Sequence, residues 1–442
     1  MKDVLIYEQI TLHFVFTGAH NKQFIKKKIE ALCQTVKNFL QINYVCQAVY
    51  FIMNLYEKMS LSLTKLRNDR MLRTIAGKAQ NGAEIEIDGR KLVNLSSNDY
   101  LGFAQDKELQ AEFLSSLPED AARFSSSGSP LLTGAHPAYA RALATIEELS
   151  GRRALFFNTG FGANSGIIAA LCDGDTLVLA DKLSHASIID GMGAGRGKAL
   201  RFAHNSLPHL RQLLNRYAAD FKYVLLITEA VFSMDGDKAP LRELVALKKD
   251  YPNLYLYVDE AHSFALYGEK GLGLCSLEQI FSDVDFILCT CGKGLGSQGA
   301  FVLCNETARD YLINTVRPLI FSTAMPPCAF AHIDFMLRKM VNGESRRQRL
   351  QKISGAVRSC LEECGADNLS DSQIIPLLTF DNERAVQAFD FFRERGFYAM
   401  PIRHPTVPRG KARLRLSLTA SLSDQQVCHL CEVIRQFLRK AS

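Results

Sequence analysis

Six short, almost uninterrupted apolar runs constrain this chain most: ALFF at 154–157, TLVLA at 176–180, YVLLIT at 223–228, LYLYVD at 254–259, FILCT at 286–290 and AFVLC at 300–304. They are strand-length, and continuous apolar character suits strands covered on both faces, as in a mostly parallel sheet. Longer helical patterns lie between them, such as LRELVALKKD at 241–250 behind Pro240. Strands alternating with helices predict an α/β fold from about residue 90 onward.

The character shifts near residue 335, where FMLRKMVNGESRRQRLQKISGAVRSCLEEC reads as one long amphipathic helix with a break near Gly343. Short strands and two further helices come after it. The expected organisation is a large domain at 106–335 and a smaller α+β domain at 336–442, with 59–105 packing against the latter. Residues 1–58 stand apart: they hold seven lysines and no arginine, the first arginine being Arg67. They read as an appendage or an over-extended start, with Met59 as the ordinary beginning. The other reading is a membrane-surface or partner helix. No run is long and uncharged enough for a stable membrane span, and no clean cleavable signal is present.

A net charge of +6 on 442 residues, with no block of like charges, makes no case for nucleic acid as a partner. The 12 cysteines are scattered. Cys428 with Cys431, and Cys360 with Cys364, have helical spacing that suits small apolar residues better than a metal site, so no metal is expected. Many unpaired thiols fit a reducing cytoplasm.

In an open parallel sheet, ligands bind beyond the carboxyl ends of the strands. The segments just after the apolar runs are therefore informative: NTGFGANSG after ALFF, DKLSHAS after TLVLA, EAVFSMDGD after YVLLIT, DEAHS after LYLYV, and CGKGLG after FILCT. Five separate segments bring Asn, His, Glu, Ser, Asp and Lys to one edge, which a bare scaffold does not need. A buried Lys293 loses its charge readily, and a neutral amine forms a Schiff base with an aldehyde. Asp259 suits a protonated pyridine nitrogen, an imidazole such as His185 can stack over the ring, and NTGFGANSG entering a helix offers amides to a phosphate. These parts describe pyridoxal phosphate.

Other readings are weaker. DEAH at 259–262 is the string of a helicase Walker B motif and GK at 292–293 that of a P-loop. However, Ile287 stands where the first P-loop glycine belongs, and Gly294 where Ser or Thr belongs. A lone loop lysine would be ordinary, but Asp259 and His185 at neighbouring strand ends argue for chemistry. His204 and His209 read as surface or internally satisfied.

The motifs NLSSNDYLGF (94–103), SSSGSPLLTGAHPAYARALATIEEL (125–149), DKLSHASIIDG (181–191), TEAVFSMDGDKAPL (228–241), VDEAHSFALYGEKGLG (258–273), TCGKGLGSQGAFV (290–302), FSTAMPP (321–327) and IRHPTVPRGKARLRLSLTA (402–420) together resemble the α-oxoamine synthases. These are fold-type-I pyridoxal-phosphate enzymes, and the likeness covers about 66–438. The last motif is similar to the biotin-pathway branch. The resemblance implies a transferase with a mostly parallel central sheet in its large domain. It implies decarboxylative condensation of L-alanine with a pimeloyl thioester, on CoA or an acyl carrier protein, to 8-amino-7-oxononanoate. The alternative is a relative using glycine or serine with a different acyl-CoA.

The same resemblance implies site roles. Lys293 bonds the cofactor and takes the α-proton, His185 stacks on the ring, and Asp259 pairs with its nitrogen. His262 and Ser233 lie near the ring hydroxyl, while Gly160, Phe161 and Thr290 hold the phosphate. Arg73, His185 and Thr406 contact substrate, and Arg403 clamps the amino-acid carboxylate, a geometry that suits a guanidinium fork. A homodimer with the site at its interface is also implied. His404 departs from the family pattern, where proline is usual, and residues 1–58 have no counterpart there.

Overall fold

The computed structural model describes residue 27, residue 34 and residues 54–69, 71–75 and 77–441. Most of the 1–58 segment singled out above lies outside the described residues. The chain divides into two compact units, Met1–Gly77 and Lys78–Ser442.

In the first unit, helix α1 (Leu55–Asn68) starts at a capping box: the Glu57 amide donates to Asn54 Oδ1 at 3.0 Å and the Asn54 amide donates to Glu57 Oε2 at 2.9 Å. It runs across the expected 58/59 boundary without interruption, and none of its residues is buried.

The second unit is built on a seven-stranded sheet. Its strands are β4 (Arg153–Phe157), β5 (Thr176–Asp181), β6 (Lys198–Phe202), β7 (Tyr223–Glu229), β8 (Leu254–Asp259), β9 (Phe286–Thr290) and β10 (Ala300–Cys304). Their spatial order is β4-β10-β9-β8-β7-β5-β6. Only β10 runs against the rest, antiparallel to both β4 and β9. All six expected runs are strands of this sheet. The addition is β6, KALRF, an edge strand paired in parallel with β5 and largely exposed. Its lysine and arginine suit an edge and hide it from a search for apolar runs.

Both faces of the sheet are covered, and alternation divides the residues between them. Leu177 and Leu179 of β5 enter the larger core, whereas Val178 and Ala180 enter a second core with Ala163, Ile167 and Ile188. That second core lies under helices α3 (Gly160–Leu171) and α4 (Ala186–Ala194), while α2 (Pro137–Ser150) packs with α5 (Pro327–Val341). Each fully buried Leu, Ile or Val contributes about 1.5–3 kcal/mol.

Two smaller sheets complete the unit. One has β1 (Gln80–Asn81), β2 (Glu84–Ile87), β3 (Arg90–Asn94) and β12 (Phe397–Tyr398), in which β3 and β12 pair in parallel. The other joins β11 (Ile374–Phe380), β14 (Ala412–Ser417) and β13 (Pro401–Ile402). The expected long helix is two, α5 and α6 (Glu344–Glu363), separated at Asn342 and Gly343. The expected 335/336 boundary falls inside α5, and the larger core is continuous from Leu95 to Phe437. Cys360 and Cys431 are buried, the Cys360 thiol donating to the Cys431 carbonyl at 3.4 Å. No helix among the described residues is long and apolar enough to cross a membrane.

Arg152 anchors the entry to β9. Its guanidinium donates to the carbonyls of Phe281 (2.5 Å), Val284 (2.7 Å) and Asp285 (2.9 Å). Arg152→Ala removes a charged donor from three carbonyls at once and is expected to cost about 2–4 kcal/mol. Urea denaturation measures this, and a loss below about 0.5 kcal/mol would show that these carbonyls rehydrate freely.

Candidate active site

The strands β5, β7, β8 and β9 all point one way, so Asp181, Glu229, Asp259 and Thr290, the last residues of each, share one edge. An open cleft of about 440 Å³ lies there, lined among others by Gly160, Phe161, Asn164, His185, Glu229, Asp259, His262, Thr290 and Lys293. This size suits a small-molecule ligand.

The cleft wall at β4 is a helix start. Thr159 is the N-cap of α3, its hydroxyl accepting from the Gly162 amide at 3.0 Å and its carbonyl from the Ala163 amide at 3.0 Å. The amides of Gly160 and Phe161 precede the first intrahelical bond and suit an anion. Gly160 is required by space: a Cβ there would meet Thr290 Cγ2 at 2.7 Å.

Asn164, one turn further along α3, ties the floor together. Its amide nitrogen donates to Asp259 Oδ2 (2.7 Å) and to Ser187 Oγ (3.0 Å), and its oxygen accepts from the Tyr257 hydroxyl (2.7 Å). Asp259 Oδ1 accepts from the Ala261 amide at 2.9 Å. His185 caps α4, with Nδ1 2.7 Å from Ser187 Oγ, and its backbone amide donates to Glu229 Oε1 at 2.6 Å. Burial lowers the His185 pKa and favours the neutral imidazole.

Lys293 Nζ lies 2.9 Å from His262 Nε2. Burial lowers the lysine pKa, opposed by Asp259 and Glu229. His262 is held well below the usual histidine range, first by burial and then by the Lys293 and Arg415 charges. On its far side, Nδ1 is 2.6 Å from the Tyr100 hydroxyl, which also donates to Asn98 Oδ1 at 3.1 Å. Gly296 closes the Lys293 turn at φ +66°, where a Cβ would press on the Ala104 amide at 2.8 Å. The glycines after the lysine thus serve backbone packing, whereas a Cβ at Gly292 would meet only the Ser297 carbonyl oxygen, at 3.8 Å.

Seven of the anticipated residues therefore meet in one cleft: Lys293, His185, Asp259, Gly160, Phe161, His262 and Thr290. Ser233 and Thr406 instead line a neighbouring cavity of about 540 Å³. Ser233 does reach the site network through its backbone, its carbonyl accepting from Arg415 Nε at 2.5 Å. Arg403 lies just past β13 and is not among the residues lining the main cleft, and Arg73 belongs to the first compact unit. His204 is satisfied, bridging Asp181 (2.9 Å) and Asp237 (2.8 Å), which raise its pKa to about 10 against the opposing effect of burial. Asn164, Ser187, Asn98 and Arg415 were not anticipated. A polar Asn164 within the apolar helix GFGANSGIIAAL was the available signal.

Glu229 is 3% exposed, and burial, reinforced by Asp259 and Asp181 against Lys293, raises its pKa from 4.5 to about 8. Between these values the folded chain keeps a proton that the unfolded chain has released. The contribution of Glu229 to the stability of the cofactor-free protein should therefore fall as pH rises from about 4.5 to about 8. Glu229→Gln, which cannot ionise, should flatten that slope in urea titrations. An unchanged slope would place the titration elsewhere.

The family profile described as Aminotransferase class I and II matches residues 90–434. The 8-amino-7-oxononanoate synthase of Haemophilus ducreyi is 42% identical over 377 residues, covering 83% of this chain and 96% of that protein. Among solved structures, serine palmitoyltransferase of Sphingomonas wittichii is 30% identical with TM-score 0.81, covering 88% of this chain and 99% of that one. The 8-amino-7-oxononanoate synthase of Francisella tularensis is 26% identical with TM-score 0.67, covering 79% and 98%. A further neighbour, solved with PLP, is 27% identical with TM-score 0.80, covering 88% and 99%. On a sequence match that spans nearly the whole of a curated relative, and on a fold shared with these enzymes, the chain belongs to the 8-amino-7-oxononanoate synthase family within the aminotransferase class I and II group.

Proposed function

We propose that the protein condenses L-alanine with a pimeloyl thioester, carried by CoA or an acyl carrier protein. The products are 8-amino-7-oxononanoate, carbon dioxide and free thiol, in biotin synthesis. The observation that carries this reading is the convergence of an amine, a carboxylate and a helix N-terminus on one cleft, in a chain 42% identical to a synthase of that name.

Pyridoxal 5'-phosphate is the cofactor, and the donor set fits it. The amides of Gly160 and Phe161 and the Thr290 hydroxyl suit its phosphate, Asp259 suits its ring nitrogen, and Lys293 suits its aldehyde. When bound, it supplies an aldehyde for amine exchange and a cationic ring that draws electrons from the amino acid's α-carbon. Lys293, whose pKa burial lowers, removes the α-proton of alanine and later returns a proton to the product carbon. His262 Nε2 holds Nζ in place at 2.9 Å. The His185 ring is assigned to stacking on the cofactor ring, and Asn164 with the Ala261 amide orients Asp259. Ser233 and His262 are assigned to the ring hydroxyl, Arg403 to the alanine carboxylate and Thr406 to substrate contact.

A homodimer fits this reading. Phe124 and Leu132, flanking the serine-rich motif, are 85% and 84% exposed, and such apolar exposure suits a partner surface. The higher TM-score to serine palmitoyltransferase favours a second reading, in which the amino acid is serine and the acyl chain differs.

A panel of alanine, glycine and serine against pimeloyl, acetyl and long-chain acyl thioesters separates the two. Alanine with a pimeloyl thioester should be preferred in kcat/KM, and preference for serine would overturn the assignment. Lys293→Ala should lower kcat by on the order of 10²–10⁴-fold, and full activity in that variant would remove Lys293 from the chemistry. Arg403→Ala should chiefly raise the KM for alanine, by roughly tenfold or more for a lost charged contact.

A further inference from the structure

We infer that Glu229 is a positioning residue, which seats the His185 ring over the cleft by holding the backbone amide of that histidine. The inference rests on the role given to His185 above.

His185 is held from two sides. Its ring nitrogen Nδ1 is 2.7 Å from Ser187 Oγ and accepts the Ser187 amide at 3.3 Å, which closes the cap of α4. That cap alone leaves the His185 amide, which precedes the helix, without a helical acceptor. Glu229 supplies one at 2.6 Å, from a different strand 44 residues away in sequence. The carboxyl is itself rigid. It ends β7 in register with Asp259 at the end of β8, and the two are 3% and 4% exposed. Ser187 Oγ also accepts from Asn164, which donates to Asp259. The two adjoining strand ends therefore fix one imidazole through two routes, Glu229 through its main chain and Asp259 through its side chain.

The groups facing Glu229 make its task unlike that of its neighbour. Asp259, Lys293, Asp181 and the His185 amide surround it. Accepting from an amide needs only a carbonyl-type oxygen, which a neutral carboxyl or a carboxamide also offers. Asp259, whose two oxygens each accept a hydrogen bond, is left to pair with the ring nitrogen.

The test uses the full-length, PLP-loaded enzyme and three forms: wild type, Glu229→Gln, which keeps the acceptor, and Glu229→Met, which keeps the volume and loses it. Amide hydrogen exchange of a peptide spanning residues 183–190 is the structural readout and is independent of which substrates the enzyme uses. In Glu229→Met this peptide should exchange at least tenfold faster, while peptides of β5 and β8 stay protected. Its kcat should fall on the order of a hundredfold, the cost of a misplaced group, with KM for alanine within about threefold. Glu229→Gln should keep both the protection and a kcat within about threefold of wild type. Unchanged exchange and kcat in Glu229→Met would overturn the inference. Equal losses in both variants would also overturn it, because the carboxamide still accepts. Should Glu229→Met fail to fold, fast exchange at 183–190 in Glu229→Gln remains an overturning result and retained protection a supporting one. Failure of the alanine and pimeloyl assay with the exchange pattern intact would discount the substrate assignment alone.

Discussion

The structure depends on a sheet closed to water on both faces. All six residues of β5 are buried, and only the first of β7 and the second of β8 are not. An unpaired polar side chain inside such a layer costs several kcal/mol, so polar groups are confined to the places where strands stop. Because β5, β7, β8 and β9 stop at the same edge, their terminal Asp181, Glu229, Asp259 and Thr290 are brought together by hydrophobic burial. Mutual attraction is not required to gather them.

That edge then sets the electrostatics. Two buried carboxylic groups end adjoining strands against one amine, that of Lys293. Burial acts on all of them in the direction of neutrality, lowering Lys293, His185 and His262 and raising Glu229. Asp259 is oriented by hydrogen bonds, the Asn164 amide and the Ala261 backbone amide each donating to one of its oxygens. A cleft that shifts its amine and imidazoles toward neutrality beside a hydrogen-bonded Asp259 suits the proton transfer at a carbon acid that the family resemblance implies.

Much of this was legible in the chain. The six strands, the helix start at Thr159, the interruption at Gly343 and the cluster of Lys293, Asp259, His185 and His262 can be read from apolar runs and the residues after them. The edge strand β6 could not, because Lys198 and Arg201 break the apolar pattern that marks its neighbours. Nor could the division of Ser233 and Thr406 into a neighbouring cavity, since sequence order says that a residue comes after a strand but not toward which side the loop turns.

What the sequence by itself determined is the order of buried and polar segments, and hence an α/β sheet with lysine, histidines and carboxylates at one edge. Water exclusion acts on local composition, and local composition is written in the chain. What only the tertiary structure decided is how those groups are held: Asn164 spanning Tyr257, Asp259 and Ser187, Glu229 on the His185 amide, and Tyr100 behind His262. These bonds join residues between 23 and 162 positions apart. Hydrogen bonding acts over about 3 Å in space, so which pairs form is settled by packing the sheet and its helices, not by spacing along the chain.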